Sequence, residues 1–168
     1  TPYLGATVKY YAGPGGHRGE LSAWDPLAGK EVWTIKERFP VWSGTLATAG
    51  DLVFYGTMDG WFKAVHARTG AQLWRFKTGS GIVGQPVTYR GPDGRQYVAI
   101  LAGVGGWSGA AALGILPDVD PFIALGFANA MKDLPQYTAQ GGTLYVFSLE
   151  GPGGGGPPPA TGTGGAGR

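Results

Sequence analysis

The sequence predicts an all-β protein built from a repeated, four-stranded antiparallel unit. Two stretches of the chain, Ala23–Trp33 and Ala64–Trp74, share one eleven-residue pattern in which Ala comes first, Gly seventh and Trp last. Matching residues of the two stretches lie 41 positions apart. Between them, short segments rich in Val, Ile, Tyr, Phe and Trp alternate with glycine-rich turns. A fixed period of this length, with several short strands in each period, indicates repeats that stack into a ring.

The predicted strands come in pairs, and each pair flanks a turn. An alternating segment, Ala6–Tyr11, opens the chain. Four later pairs of strands each flank a turn. Two of these turns lie within the two copies of the eleven-residue pattern, and the other two are Gly50-Asp51 and residues 91–94. These later strands are expected at Leu21–Trp24, Val32–Ile35, Leu46–Ala49, Val53–Thr57, Phe62–Val65, Leu73–Phe76, Val87–Tyr89 and Tyr97–Leu101.

The regular spacing ends after Gly103. A loop rich in glycine and alanine follows, and apolar residues at helical spacing predict a short helix over Pro121–Leu134. Thr143–Leu149 then returns to strand character and aligns with the strand that begins near Gly19. We therefore expect the helix to be an insertion within a third copy of the unit, which lacks the turn that ends the other two.

A boundary is expected at residue 150. Residues 151–168 hold nine of the 33 glycines and no large apolar side chain. Because such a segment has no apolar surface to bury, it cannot offset the entropy lost on ordering. The sequence thus predicts one folded domain over residues 1–150 and a disordered Gly/Pro-rich tail over 151–168.

The composition argues against two classes of partner. The net charge is only +2, and the Lys and Arg residues are scattered along the chain, so no nucleic-acid partner is expected. No apolar run reaches the roughly 20 residues that a membrane-spanning helix needs. The chain contains no cysteine, and its first residues do not resemble a secretory signal.

The eleven-residue pattern has a physical explanation as a device that joins sheets. Alanine leaves room for a flat ring, glycine permits a positive φ and exposes a peptide face, and the Trp indole can stack there and donate to a carbonyl. We therefore assign a structural docking role, and no catalytic one, to a set of six residues. They are Ala23, Gly29, Trp33, Ala64, Gly70 and Trp74.

The repeat resembles the tryptophan-docking motif of the pyrroloquinoline quinone (PQQ)-dependent alcohol dehydrogenases, whose four-stranded sheets form an eight-bladed β-propeller. Further segments resemble the C-terminal part of the methanol dehydrogenase large subunit, and they are most similar to the lanthanide-dependent type. The resemblance implies that the chain is a sector of about three blades with one short inserted helix. These segments are Phe39–Leu46, Phe54–Gly60, Gly103–Trp107 and Gly141–Leu149.

The same resemblance points to a cofactor site. In the family, PQQ lies near the propeller axis and is bordered by two tryptophans, which by motif position match Trp42 and Trp107. A Trp on a glycine-rich loop outside the docking pattern can wall a pocket and donate from its indole N–H. Ser43 and Gly106, beside them, could add hydroxyl or backbone donors. The alternative is that both tryptophans simply fill the centre of the ring.

The function implied by the resemblance is alcohol oxidation. Such an enzyme is periplasmic, oxidises a primary alcohol to an aldehyde with PQQ and a metal ion (a lanthanide or calcium), and passes electrons to a cytochrome c. A homodimer is expected for the whole protein. The family's metal ligands and catalytic aspartate lie in its N-terminal part, so no catalytic or metal-binding residue is assigned here.

Two other functions remain open from the sequence. A non-enzymatic propeller scaffold that binds proteins would need the docking residues but not Trp42 or Trp107 at the axis. A sugar-oxidising relative would share the cofactor, but Gly56–Val65 and Asp133–Leu149 resemble the methanol-oxidising type more closely. Since a sector of a ring leaves open sheet faces and strand edges, we expect the chain expressed alone to be poorly soluble and inactive.

Overall fold

A computed structural model describes residues 10–106, 109–110 and 127–149. A short helix, α1, spans Phe127–Met131, and a 3-10 helix spans Leu134–Gln136. None of the described helices is long and apolar enough to cross a membrane. The strands of the described residues are β1 Gly19–Asp25, β2 Lys30–Glu37, β3 Thr45–Ala47, β4 Leu52–Gly56, β5 Trp61–His66, β6 Gln72–Lys77, β7 Val87–Arg90, β8 Gln96–Ala102 and β9 Thr143–Ser148.

The strands form three antiparallel sheets in chain order. The first sheet is β1-β2, the second is β3-β4-β5-β6 and the third is β7-β8-β9. The second sheet is thus a complete four-stranded meander, and the all-β prediction is confirmed. The helix α1 lies between β8 and β9 in the chain, as an insertion in the third unit. Parts of three predicted elements lie outside the described residues. They are residues 6–9 of the predicted strand Ala6–Tyr11, residues 121–126 of the predicted helix and the predicted tail 151–168.

Both copies of the repeat depart from regular pairing at the same place. A register shift follows Ala23 in the first sheet and Ala64 in the second. Each of these alanines lies directly opposite the Trp that ends its repeat, Trp33 or Trp74. Because the alanine side chain is small, the facing indole has room above the neighbouring strand.

The second and third sheets pack through aromatic rings. Phe147 of β9 lies 5.7 Å from Phe62, 5.2 Å from Trp74 and 5.1 Å from Phe76, measured between ring centroids. Phe62 is completely buried, as is Ile82 beside it. Edge-to-face aromatic pairs at these distances add to the free energy gained from burial alone. This layer holds the two sheets face to face.

The first and second sheets are joined by a buried polar cluster. Glu37 of β2 accepts hydrogen bonds from the Tyr55 hydroxyl and the Lys63 ammonium group, both at 2.6 Å. Tyr55 is fully buried, and the side chains of Glu37 and Lys63 are 10% and 13% exposed. Because one carboxylate satisfies two donors from the neighbouring sheet, it fixes how the two sheets sit against each other.

This cluster predicts a loss of stability in alkali. Burial, with the hydrogen bond to Glu37, raises the pKa of Tyr55 well above its ordinary value of 10.0. The unfolded chain therefore loses this proton above about pH 10 while the folded protein keeps it, so the free energy of unfolding falls by about 1.4 kcal/mol per pH unit there. Tyr55→Phe should remove this share of the pH dependence. Urea unfolding of the complete protein at a series of pH values measures it, and equal slopes in both proteins would contradict the prediction.

One face of the third sheet is open and apolar. Leu101 of β8 and Leu144 of β9 lie opposite each other and are 56% and 64% exposed. Val87 and Val146 extend the same patch and are 53% and 46% exposed. A contiguous apolar surface of this kind favours association between molecules.

The open face predicts how the chain behaves when expressed alone. Replacing the opposed pair by Leu101→Lys with Leu144→Glu should raise the soluble fraction several-fold, on the order of the gain expected when a patch is broken by charge. Leu27→Lys is the matched control, because Leu27 is 99% exposed but lies in a turn of the first sheet. Centrifugation of lysates measures the effect. An equal gain in the control would mean that added charge, and not the face, matters.

Candidate functional site

The docking residues join the first sheet to the second through one tryptophan. The Trp33 indole N–H donates to the carbonyl of Ala67 at 2.9 Å. Its ring lies over Gly70, where an added Cβ would come within 2.8 Å of the Trp33 ring. Gly70 also has a φ of +69°, in the left-handed region that favours glycine. The Trp of one repeat therefore seats on the turn of the next.

The other docking residues have partners of a different kind in the described part of the chain. Trp74 is 38% exposed and contacts Phe62, Phe76 and Phe147. A Cβ at Gly29 would meet no other described atom within 4 Å. Gly29 lies in the first described sheet, and no tryptophan of a preceding repeat contacts it among the described residues. Trp74 faces the third sheet, which has no docking turn in the described part of the chain.

The Trp33 seat gives a direct test. Gly70→Ala in the complete protein should lower the free energy of unfolding by about 2–4 kcal/mol, since it combines backbone strain with a clash against the indole. Gly94→Ala is the matched control, because Gly94 has a φ of +77° and open space around it. Denaturant unfolding should show the smaller loss for Gly94→Ala, of about 1 kcal/mol. Equal losses would mean that the docking contact contributes nothing.

The first strands of the second and third sheets, β3 and β7, approach each other near their first residues. Gly44 precedes β3 and Gln85 precedes β7, exactly one period of the repeat apart in the sequence. A Cβ at Gly44 would lie 2.5 Å from Cγ of Gln85. Equivalent positions of two successive repeats therefore meet at the start of these two strands.

Trp42 lies at the same place, half-buried against an apolar cluster. That cluster consists of Phe39, Met58, Val104, Ala130, Met131 and Leu134, and we call it the inner-edge cluster. Val83, one repeat after Trp42, packs against it as well. The connections that lead into β3 and β7 thus reach one cluster, together with the helical insertion. Val104, which lies two residues before Gly106, belongs to this cluster, so Trp42 and the start of the loop that leads to Trp107 pack within the same group of residues.

Ser43 is used in local structure. Its hydroxyl donates to the carbonyl of Gly44 at 2.6 Å and accepts from the backbone N–H of Gly56 at 2.8 Å. The hydroxyl proton is therefore already engaged within the chain, and only the backbone of Ser43 is left to serve as a donor to a ligand. Its evident effect is to hold the Trp42 connection against the end of β4.

The loop before Trp107 is anchored at its start and open at its end. Gly103 N–H donates to the carbonyl of Gly81, and Val104 N–H donates to Ser80 Oγ. A Cβ at Gly105 or Gly106 would meet no other described atom within 4 Å. This arrangement leaves the backbone of Gly105 and Gly106 exposed, so that a flat ligand can approach it closely. Trp107 itself lies outside the described residues.

The described residues offer an aromatic wall and backbone donors, but no metal centre. Within residues 10–106, 109–110 and 127–149, no three His, Cys, Asp or Glu side chains come together. The residues present fit the planar, polar PQQ in one respect: a half-buried indole packs against the cluster that contains Val104, and an open glycine backbone follows Val104 in the chain. Any metal ion would need ligands from elsewhere.

Comparison with known proteins shows what the chain is similar to. Residues 35–98 match the family described as the β-propeller domain of the PQQ-dependent glucose, ethanol and alcohol dehydrogenases. The chain is 53% identical, over 154 residues, to a lanthanide-dependent methanol dehydrogenase of Methylacidiphilum fumariolicum, covering 89% of this chain and 25% of that protein. Over most of its length, the chain is therefore similar to part of a PQQ-dependent alcohol dehydrogenase.

Two further relatives agree with this homology. The chain is 50% identical over 158 residues to methanol dehydrogenase [cytochrome c] subunit 1 of Methylobacterium organophilum, covering 90% of this chain and 25% of that one. A solved europium-containing methanol dehydrogenase superposes with a TM-score of 0.74 at 53% identity, over 81% of this chain and 24% of that one. The chain thus spans about a quarter of the length of these relatives, and its sheets correspond to a sector of their β-propeller.

Proposed function

We propose that this chain is the C-terminal sector of a periplasmic PQQ-dependent alcohol dehydrogenase that oxidises methanol or another primary alcohol to the aldehyde. The observation that carries the proposal is 53% identity, over nearly the whole chain, to a lanthanide-dependent methanol dehydrogenase. The solved relative named for europium supports a lanthanide as the metal, and the relative named for cytochrome c supports that electron acceptor. The metal ligands and the catalytic base are then supplied by other blades.

The residues of this sector would form one side of the cofactor pocket. When bound, PQQ supplies the two-electron acceptor for alcohol oxidation. Trp42 would present an indole at the axial side, and the inner-edge cluster behind it excludes water and limits its movement. The open backbone at Gly105–Gly106, with Trp107, would complete the wall. Trp33 and Trp74 would act away from the pocket, as joints between blades.

We also propose how the chain is divided and how the whole protein assembles. Residues 1–150 form the propeller sector, and the Gly/Pro-rich segment 151–168 follows it as a tail outside the sector. The whole protein is a homodimer. The sector alone lacks the rest of the pocket and is therefore inactive.

A scaffold that binds proteins is the second candidate. The docking contact of Trp33 on Gly70 suits a scaffold and an enzyme equally well, because it only joins sheets. Trp42 on the inner-edge cluster, with an open glycine backbone following Val104 of that cluster, is a feature that a scaffold does not need. The identity of about 50% to methanol dehydrogenases favours the enzyme.

The experiment that decides between them uses the protein expressed from its complete reading frame. The purified protein is denatured and its extract is assayed for PQQ by mass spectrometry, and alcohol-dependent reduction of a dye or cytochrome c is measured with a lanthanide or calcium added. The dehydrogenase should release about one PQQ per chain and reduce the acceptor only with alcohol present. Absence of both, in folded protein given PQQ and metal, would overturn the proposal in favour of the scaffold.

Trp42 can be tested by binding alone. Trp42→Phe keeps an aromatic ring but loses the indole N–H and part of the surface, so PQQ should bind roughly tenfold more weakly to the apo-protein. Trp61→Phe is the matched control, because Trp61 of β5 packs under Arg75, with the guanidinium 4.6 Å from the Trp61 ring. Titration followed by absorbance gives both affinities. An unchanged affinity in Trp42→Phe would remove Trp42 from the pocket.

A further inference from the structure

A second concave site, whose lining does not include Trp42, has no part in the function proposed above. It is a cleft of about 500 Å³ between the ends of the first sheet and the segment after α1. Its walls carry three cationic side chains, Arg18, Lys36 and Arg38, and the carboxylate of Asp133. The turn at Gly15-Gly16 forms another wall, and a Cβ at either glycine would meet no other described atom within 4 Å.

The cleft carries an excess of positive charge. Glu37 also lines it, but its carboxylate accepts from Tyr55 and Lys63 and is matched by the Lys63 charge behind the wall. Asp133 is then the one anion left among the lining residues to balance Arg18, Lys36 and Arg38. Glu20, outside the lining, lies opposite Lys36 in the β1–β2 pair and 2.8 Å from His17 Nε2, so the excess of positive charge is greatest at the two arginines. A concave surface with unbalanced positive charge attracts anions.

Two guanidinium groups converge on the single carboxylate of Asp133. Arg18 donates to Oδ1 at 3.2 Å and Arg38 donates to Oδ2 at 3.4 Å. Although Asp133 precedes a 3-10 helix, its side chain makes no capping hydrogen bond there. The two arginines thus already hold a carboxylate, which shows the chemistry that this geometry accommodates.

Arg38 is pre-positioned and accessible. Its guanidinium lies 4.3 Å from the centre of the Tyr137 ring, and its side chain is 52% exposed. Stacking on an aromatic ring holds the guanidinium plane while the outer N–H groups stay open to solvent. A ligand can therefore reach Arg38 without disturbing the core.

We propose that this cleft binds a carboxylate ligand from outside the chain, in exchange with Asp133. Arg18 and Arg38 donate the charge-assisted hydrogen bonds, and Lys36 adds positive charge. When no ligand is bound, the Asp133 carboxylate accepts the hydrogen bonds of both arginines, so it competes with the ligand. A ligand with two or more carboxylates is favoured, because it can engage the arginines and Lys36 together. The binding needs neither PQQ nor metal, so it can be tested independently of the dehydrogenase proposal.

The test is calorimetric titration of citrate into the complete protein at low ionic strength, where charge interactions are least screened. Citrate should bind saturably at one site per chain. Arg38→Gln should weaken binding about tenfold or more, as expected when charge-assisted hydrogen bonds are lost. Asp133→Asn should strengthen it several-fold, because it frees both arginines. Arg75→Gln is the matched control: it removes one positive charge outside the cleft and should leave the affinity unchanged.

Three results would overturn the proposal. One is the absence of saturable citrate binding in both the wild-type protein and Asp133→Asn. Another is an equal loss of affinity in Arg75→Gln and Arg38→Gln, which would indicate a general charge effect. Tighter binding of inorganic phosphate than of citrate would contradict the carboxylate assignment. Should Arg38→Gln fail to fold, Lys36→Gln replaces it, with a smaller loss expected.

Discussion

The contact on which this structure depends is the Trp33 indole seated on the glycine turn of the next sheet. It combines a hydrogen bond to the Ala67 carbonyl with a ring that lies where a Cβ at Gly70 would be. A β-sheet with two apolar faces cannot be stable alone, so each unit needs a neighbour on either side. When the same tryptophan contact recurs at a fixed period, every sheet is placed in the same orientation relative to the next one. Sheets that follow each other at a constant angle form a ring.

The joint lies at the outer strands, and this leaves the inner edge for another use. There the glycine-rich connections approach one another, as Gly44 does with Gln85, and side chains from several elements meet in the inner-edge cluster. Trp42, which is outside the repeat pattern, lies in this inner region. The same division explains why a protein-binding scaffold and an enzyme can share the docking residues.

Much of the fold could be predicted from the sequence. All eight strands predicted between Gly19 and Leu101, and the strand after the insertion, are present within a few residues of the predicted bounds. The described part of the predicted helix is helical at Phe127–Met131. These elements follow from local patterns: alternation, helical spacing and glycine at turns. The candidate site was harder to predict, because Trp42 and Trp107 were selected only through the family resemblance. The structure also shows that the Ser43 hydroxyl is hydrogen-bonded to Gly44 and Gly56.

The sequence by itself determined the repeat, its period and the residue types that join one sheet to the next, since all of these are encoded within about forty positions of one another. Only the tertiary structure decided which groups meet across the sheets. Arg18 and Asp133 lie 115 residues apart, and no pattern in the chain connects them. Glu37 of the first sheet reaches Tyr55 and Lys63 of the second, and no local pattern in the chain pairs these residues. Such contacts depend on the relative placement of whole sheets, which packing sets and local sequence does not record.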